Sequence, residues 1–392
     1  MNRPAVLVTD GHLRPALAVV RSLGKAGYRV FVCSTRARSL AGASRYAAAE
    51  ALAADPMTQP GAFVSDVAAL IAQWDIRILV PLSEEALLAL MPAREQLGDV
   101  CLPFAPLEIF KRASDKDAVT ALAGRLGIPV PEQIVITSAA SARDTDFTAL
   151  AYPLVLKPAR SVAGEGAERA KFGVTYVHDR SELERTLAAL PSAAFPILAQ
   201  RRIVGPGTGV FLAVWDKQTI ALFAHRRLRE KPPSGGVSVC SESIAADPAV
   251  VEQARSLLAA LDWRGPAMVE FKLDRATGRH YLMEINGRFW GSLQLAVDAG
   301  VDFPALLVAA ARGELPAPVT SYRVGVRTRW WWGEVDHLVA RLRGNGDTTE
   351  LGGRLRAVQR FLIPEANARN EVFRADDARP FVRETIDWFR SL

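Results

Sequence analysis

Lysine, histidine and cysteine are all scarce in these 392 residues, at eight, five and three. Arginine therefore supplies most of the 48 basic residues, which exceed the 42 acidic ones for a formal net charge of +6. The arginines are scattered, with no long basic run and no interleaved aromatic stripe, so no nucleic-acid partner is expected. Cys33, Cys101 and Cys240 lie far apart, form no CxxC pair and are odd in number, which speaks against a disulfide framework or a zinc site. His12, His178, His225, His280 and His337 do not cluster in sequence, so neither a histidine metal site nor a Ser-His-Asp triad has support. No apolar stretch approaches the roughly 20 residues of a spanning helix. Met1 to Asp10 has no signal-peptide core, and a soluble cytoplasmic protein without membrane insertion is expected. Neither GxGxxG nor GxxxxGK[ST] occurs in the relevant loops, so dinucleotide and Walker sites are not expected.

What is present is a chain that is 49% hydrophobic, long enough for two or three domains. Apolar runs at Ala5–Thr9, Tyr28–Cys33 and Ile76–Pro81 alternate with helical patterns at Ala16–Leu23 and Val64–Gln73. That order is the βαβ signature of an open, doubly wound parallel sheet over the first 110 or so residues. After Phe110 the pattern changes. Asp115 caps a helix running through Arg125, and strands then dominate, among them Leu154–Lys157, Ile197–Gln200, Val210–Trp215, Ala267–Leu273 and His280–Asn286. The class is α/β followed by α+β, in a multidomain chain. No internal repeat or low-complexity stretch is present.

The most informative stretch is the pair of strands at the end of that series. A hairpin symmetric about Thr277 sets Glu270 opposite Glu284, with Asn286 on the same face as Glu284. Two carboxylates so placed repel one another unless a cation lies between them. Two Glu and one Asn are an all-oxygen donor set suited to magnesium or manganese. An exposed hairpin with solvated charges is the bland alternative. Just beyond, Gly287-Arg288 brings a guanidinium to the edge of the pair, where it can reach an anion.

With so few lysines, the position of each is informative. Lys157 ends an apolar strand and precedes Ser161-Val162-Ala163-Gly164-Glu165-Gly166, a point charge beside backbone N–H groups that can approach phosphate closely. An ordinary flexible turn fits the same residues. Lys116, taken by itself, reads as helix-surface charge.

Taken together and in order, these pieces resemble the ATP-grasp superfamily over roughly residues 1–310, and within it the carboxylate–amine ligases and carbamoyl-phosphate-synthase-like domains. The resemblance implies an N-terminal Rossmann-like pre-ATP-grasp domain at 1–112, an ATP-grasp subdomain with the glycine loop at 113–199 and a second with the metal strands at 200–312. Residues 313–392 have no assigned role. It further implies that Lys116, Lys157, Gly164 and Gly166 meet ATP phosphates, and that Gln200, Arg201, Arg202 and Ile203 form the hinge beside adenine. By the same resemblance Glu270, Glu284 and Asn286 bind Mg2+ or Mn2+, and Arg288 steadies the transferred phosphoryl group. The usual acid of the hinge is Gln200 or Arg201 here. The usual Pro of the metal-strand motif is Gly287, which implies a freer loop. Ala224–Ser238 resembles the acceptor-side loop of the ligases, with Arg227 the candidate for a substrate carboxylate; a solvated basic loop is the alternative. Trp330–Trp332 is read as core or interface packing, or as one wall of that pocket. The implied activity is ADP-forming amide or peptide synthesis through an acyl phosphate, from small-molecule carboxylate and amine substrates. Carboxylase- or kinase-type phosphoryl transfer and a non-catalytic nucleotide-binding module are the alternatives, and a homodimer is left open.

Overall fold

A computed structural model describes residues 3–164, 169–233, 235–314, 316–343, 351–363 and 368–391. The first unit is a parallel four-stranded sheet in the order Ala47–Leu52, Arg29–Ser34, Ala5–Val8, Ile76–Val80. Alternation along the central strand sends Val6 and Val8 towards the helix Arg14–Lys25, and Leu7 towards the helix Pro60–Trp74. With both faces covered, all four residues of that strand are buried, as a parallel sheet requires. Ala47–Leu52 went unread in the sequence because its alanines and one Glu carry no β signal.

The second unit is an antiparallel sheet ordered Gln133–Ile136, Ile197–Arg201, Leu154–Pro158, Thr175–Val177. Leu154, Leu156 and Val177 pack on Leu183 and Leu187 of the helix Arg180–Ala189. The third is a seven-stranded sheet ordered His280–Asn286, Gly265–Leu273, Gly207–Trp215, Gln218–Lys231, Val237–Ser243, Arg327–Arg329, Ala368–Asn370.

Two expectations change here. The basic stretch Ala224–Ser238 is mostly strand: Gln218–Lys231 pairs with Val237–Ser243, and Arg227 sits opposite Ser241. Alternation in this strand, interrupted by register shifts after Arg227, distributes its arginines to different partners. Secondly, the region after 313 extends the large sheet, since Arg329 pairs with Cys240 and Thr328 with Ser241. Among the described residues no single helix is long and apolar enough to cross a membrane. The apolar helices Leu293–Ala299 and Phe303–Ala311 bend by 91° and bury Leu293, Leu295, Phe303 and Leu307.

Candidate active site

The two strands Gly265–Leu273 and His280–Asn286 pair antiparallel with Glu270 directly opposite Glu284. Met268 faces Asn286 and Val269 faces Ile285, so the symmetry about Thr277 holds on this side. Beyond Glu270 the register slips by one, with Phe271 opposite Leu282, and Met283 is the extra residue of the bulge. The turn is tied by Asp274, whose carboxylate accepts from Ala276 N–H at 3.1 Å and Thr277 Oγ1 at 3.1 Å.

Three cationic side chains converge on this pair. Arg227 Nη2 donates to Glu270 Oε2 at 2.5 Å, and its Nη1 to Glu230 at 3.0 Å. Lys116 Nζ lies 3.6 Å from Glu284 Oε2 and donates to Ser161 Oγ at 2.9 Å. It is 7% exposed, so Lys116 is not the helix-surface charge its sequence suggested. The reason is local: Asp115 caps the helix through the N–H groups of Asp117 and Ala118, and Lys116 N–H binds Ala159 O at 2.8 Å, which turns the side chain inward. Lys157 reaches the same centre from the strand Leu154–Pro158, with Nζ 3.8 Å from Met283 Sδ. Burial lowers its pKa, against the raising effect of Glu284 and Glu270.

The two carboxylates are pushed apart electrostatically. Burial would raise Glu284, but Lys116, the hydrogen bond from Asn286 and Lys157 outweigh it and hold the carboxyl at about 2. Glu270 is raised by burial and by the charge of Glu284, with Arg227 opposing. Asn286 Nδ2 donates to Glu284 Oε1 at 2.9 Å, and Arg288 Nη2 approaches Asn286 Oδ1 at 3.4 Å. Arg288 also donates to Phe289 O at 3.0 Å. Gly287 is not a loosened hinge. A Cβ there would come within 2.3 Å of Trp263 Cη2 and 3.2 Å of Phe110, so the backbone passes directly beneath packed rings and Gly is what fits.

Residues 211–334, which carry both metal-strand candidates, match the family described as "ATP-grasp in the biosynthetic pathway with Ter operon". The L-amino acid ligase of Bacillus licheniformis superposes with a TM-score of 0.62 at 20% identity, over 80% of this chain and 76% of that one. Biotin carboxylase of Campylobacter jejuni, in a complex with βγ-ATP, gives 0.65 at 18% identity over 83% and 74%. The chain has the ATP-grasp fold. The arginine-specific carbamoyl phosphate synthase large chain of Halalkalibacterium halodurans is 24% identical over 298 residues, 66% of this chain. This chain spans only 26% of that relative's length.

The structure divides the side chains of Gln200–Ile203, the residues expected at the hinge. Gln200 is buried and donates to Gln133 Oε1 at 2.7 Å, and Gln133 donates in turn to Thr120 at 2.8 Å. Arg201 stacks over Tyr281 and lies 3.9 Å from Asp274. Arg202 and Ile203 open onto a cavity of 480 Å3 that also reaches Arg227, Lys272, His337 and Arg360. The residues after 313 thus contribute a wall: Glu334 is held by Arg229 at 2.7 Å and Arg329 at 3.2 Å, and Phe361 lies against Trp331. Trp330 binds Glu384 at 2.7 Å and Trp332 stacks on Trp388, so the three tryptophans anchor the C-terminal helices to the body.

Gly164 has φ +91° and opens, with Val162 and Arg169, onto a second cavity of 740 Å3; Gly166 lies outside the described residues. The N-terminal unit forms its other side through Glu84, a residue not singled out from the sequence. Ser83 caps the helix Glu84–Leu90, and acids in a first turn ordinarily read as partners of the helix dipole. Only the fold shows Glu85 bound to Lys171 at 2.7 Å and Glu84 within the field of Arg288 and Lys116.

Among the described residues no group of three or more His, Cys, Asp or Glu side chains could hold a metal by itself. Glu270, Glu284 and Asn286 offer three oxygen donors, the part-set expected for Mg2+, which takes its remaining ligands from water and phosphate. The residues fit the ion on that basis.

Proposed function

We propose that the protein is an ATP-dependent carboxylate–amine ligase that uses Mg2+ and releases ADP. The observation that carries this reading is the opposed pair Glu270 and Glu284, with Lys116, Lys157 and Arg227 converging on it from three other elements. Adenine is assigned to the 480 Å3 cavity against Arg202 and Ile203, and the phosphates to the region between Lys157, Lys116 and Gly164.

Glu270, Glu284 and Asn286 would hold magnesium, which supplies charge neutralisation and orientation for the phosphoryl group. Lys157 and Lys116 offset phosphate charge, and Lys116 does so from a buried position, where such charges act strongly. Arg288 is tethered through Phe289 O and Asn286 and presents its guanidinium at the same edge. A substrate carboxylate oxygen bonds to the γ-phosphorus as the bond to the β,γ-bridging oxygen breaks, and ADP leaves with that electron pair. An uncharged amine then attacks the acyl carbon, and as the C–N bond forms phosphate departs with the C–O electron pair and takes up the proton the amine releases. No side-chain nucleophile is required, because phosphoryl transfer of this kind rests on positioning and electrostatics. His225, the one histidine near the centre, is fully buried against Ser292 Oγ at 2.8 Å and is driven down to about 3 by burial and by Arg227, so it stays neutral.

The test is phosphate and ADP release from MgATP against a matrix of acids and amines. Release that requires both classes supports the ligase. Release with bicarbonate or an acid alone replaces it with a carboxylase or kinase. Nucleotide binding without turnover on any pair leaves a binding module.

A further inference from the structure

The 480 Å3 cavity carries more positive charge than the nucleotide assigned to it can use. Seven of the 21 described residues that line it are Arg or Lys, against 48 of 392 in the whole chain. Two of them, Glu230 and Glu334, are acidic, and both are already taken. Glu230 accepts from Arg227 at 3.0 Å, and Glu334 is shared by Arg229 at 2.7 Å and Arg329 at 3.2 Å. Arg202, Lys272, Arg275 and Arg360 pair with no carboxylate among the described residues. Lys272 Nζ donates to a backbone carbonyl, Ile203 O at 3.4 Å, and Arg202 lies over the Tyr176 ring at 5.5 Å.

Like charges gathered in this way repel. Burial lowers the pKa of Lys272, and Arg202 and Arg227 lower it further, against the raising effect of Glu230 and Glu270. A bound anion removes that repulsion. Adenine and ribose are uncharged and cannot do so. The phosphates are assigned to Lys157, Lys116 and Gly164, none of which lines this cavity. The cations also come from separate parts of the fold: Arg202 follows the strand Ile197–Arg201, Lys272 and Arg275 belong to the strand Gly265–Leu273 and its turn, and Arg360 to the helix Leu351–Leu362. One such cation at a strand end is ordinary solvated charge. Four around a single cavity form a receptor for several negative groups.

The cavity also reaches Arg227, which binds Glu270, so one end of it opens beside the metal strands, where an acid must lie to be activated. We infer that the acid substrate binds in this cavity and is a polyanion, bearing at least one carboxylate or phosphate beyond the carboxylate that is activated. The activated group lies at the Arg227 end, and the further acid groups meet Arg275 and Arg360. The inference rests on the ligase reading for the word substrate, but the polyanion site itself does not.

Calorimetry on the full chain saturated with MgADP, with Mg2+ in excess, tests it, using butyrate, glutarate and tricarballylate as probes with one, two and three carboxylates. Affinity should rise about tenfold or more with each added acid group, as expected for a charge-assisted contact. Tighter binding of 3-phosphonopropionate than of glutarate would make the second group a phosphate, and the reverse a carboxylate; either supports the site. Arg275→Ala and Arg360→Ala should each weaken tricarballylate about tenfold and leave butyrate and MgADP unchanged, in variants that melt with the parent. Equal affinity for butyrate and tricarballylate, or no binding of any of these acids, overturns the proposal. So does an equal loss of MgADP and tricarballylate in either variant, because the cations would then serve the nucleotide. Turnover of a monocarboxylate with an amine, with the polyanions neither bound nor used, would overturn the proposal and leave the ligase reading standing. Tricarballylate binding with no turnover of any acid and amine would remove the ligase reading and leave this site.

Discussion

Arg227 and Glu270 are joined at 2.5 Å although they lie 43 residues apart, on strands separated in the sheet by Gly207–Trp215. Arg227 crosses the intervening strand over Gly207, whereas the space over Gly209 is filled by the Phe211 ring. Gly209 pairs with Glu270 on one side and with His225 on the other, and the Cβ position of Gly207 lies 3.7 Å from Arg227 Cδ. The guanidinium thereby lowers the cost of a carboxylate that burial and Glu284 both push towards protonation.

Removing that guanidinium should move the acid limb of the pH profile. Glu270 already titrates above the ordinary carboxylate range, and Arg227 is its main counter-charge. In Arg227→Ala the pKa of Glu270 rises further, so the acid limb of ADP formation should move to higher pH. A profile displaced only in height, with its acid limb unmoved, would contradict this.

Glu284→Gln should abolish turnover, by about a hundredfold or more, in a protein that remains folded. The stability effects of the two carboxylates should have opposite signs. Glu284 is held at about 2 against an ordinary value of 4.5, so its contribution is present above 4.5 and is lost as pH falls towards 2. Glu270 is raised, so its favourable contribution is present at low pH and is lost as pH rises through its folded value. Without ligands at neutral pH, thermal melts should show Glu284→Gln below the parent and Glu270→Gln above it, both differences closing in acid.

Lys157→Ala should weaken ATP by about ten- to hundredfold, read by calorimetry, through loss of one charge-assisted phosphate contact. Equal affinity for ATP in the variant and the parent would remove Lys157 from the phosphate site.

Gly287→Ala should destabilise by about 1–3 kcal/mol in urea, the usual cost of overpacking a filled site. The clash is with the ring of Trp263, so Trp263→Leu in the same chain should recover part of the loss. Purely additive losses in the double variant would mean that the ring contact is not the cause.

How much of this was legible in the residues can be judged from particular cases. Glu270 and Glu284 could be placed opposite one another because a hairpin is local: the side-chain period is two and the turn lies between them. The bulge at Met283 could not, since it depends on how the strand packs. The βαβ unit was visible for the same local reason, through apolar runs broken at glycines. Taken by itself Lys116 read as surface charge, because one position on a helix gives no sign of which neighbour covers it; the bond from its N–H to Ala159 O decides that. Gly287 was misread likewise, because its constraint comes from Trp263, 24 residues away, and from Phe110 in another unit.

By itself, then, the sequence determined what depends on spacing along the chain: the class of each main element, the paired carboxylates and the lysine beside a glycine loop. Tertiary structure alone decided what depends on contact across it. That includes the pairing of Arg227 with Glu270, and the enclosure of the 480 Å3 cavity by residues after 313. The physical reason is that periodicity is a backbone property that each segment carries alone. Burial and charge compensation arise only when distant segments pack together.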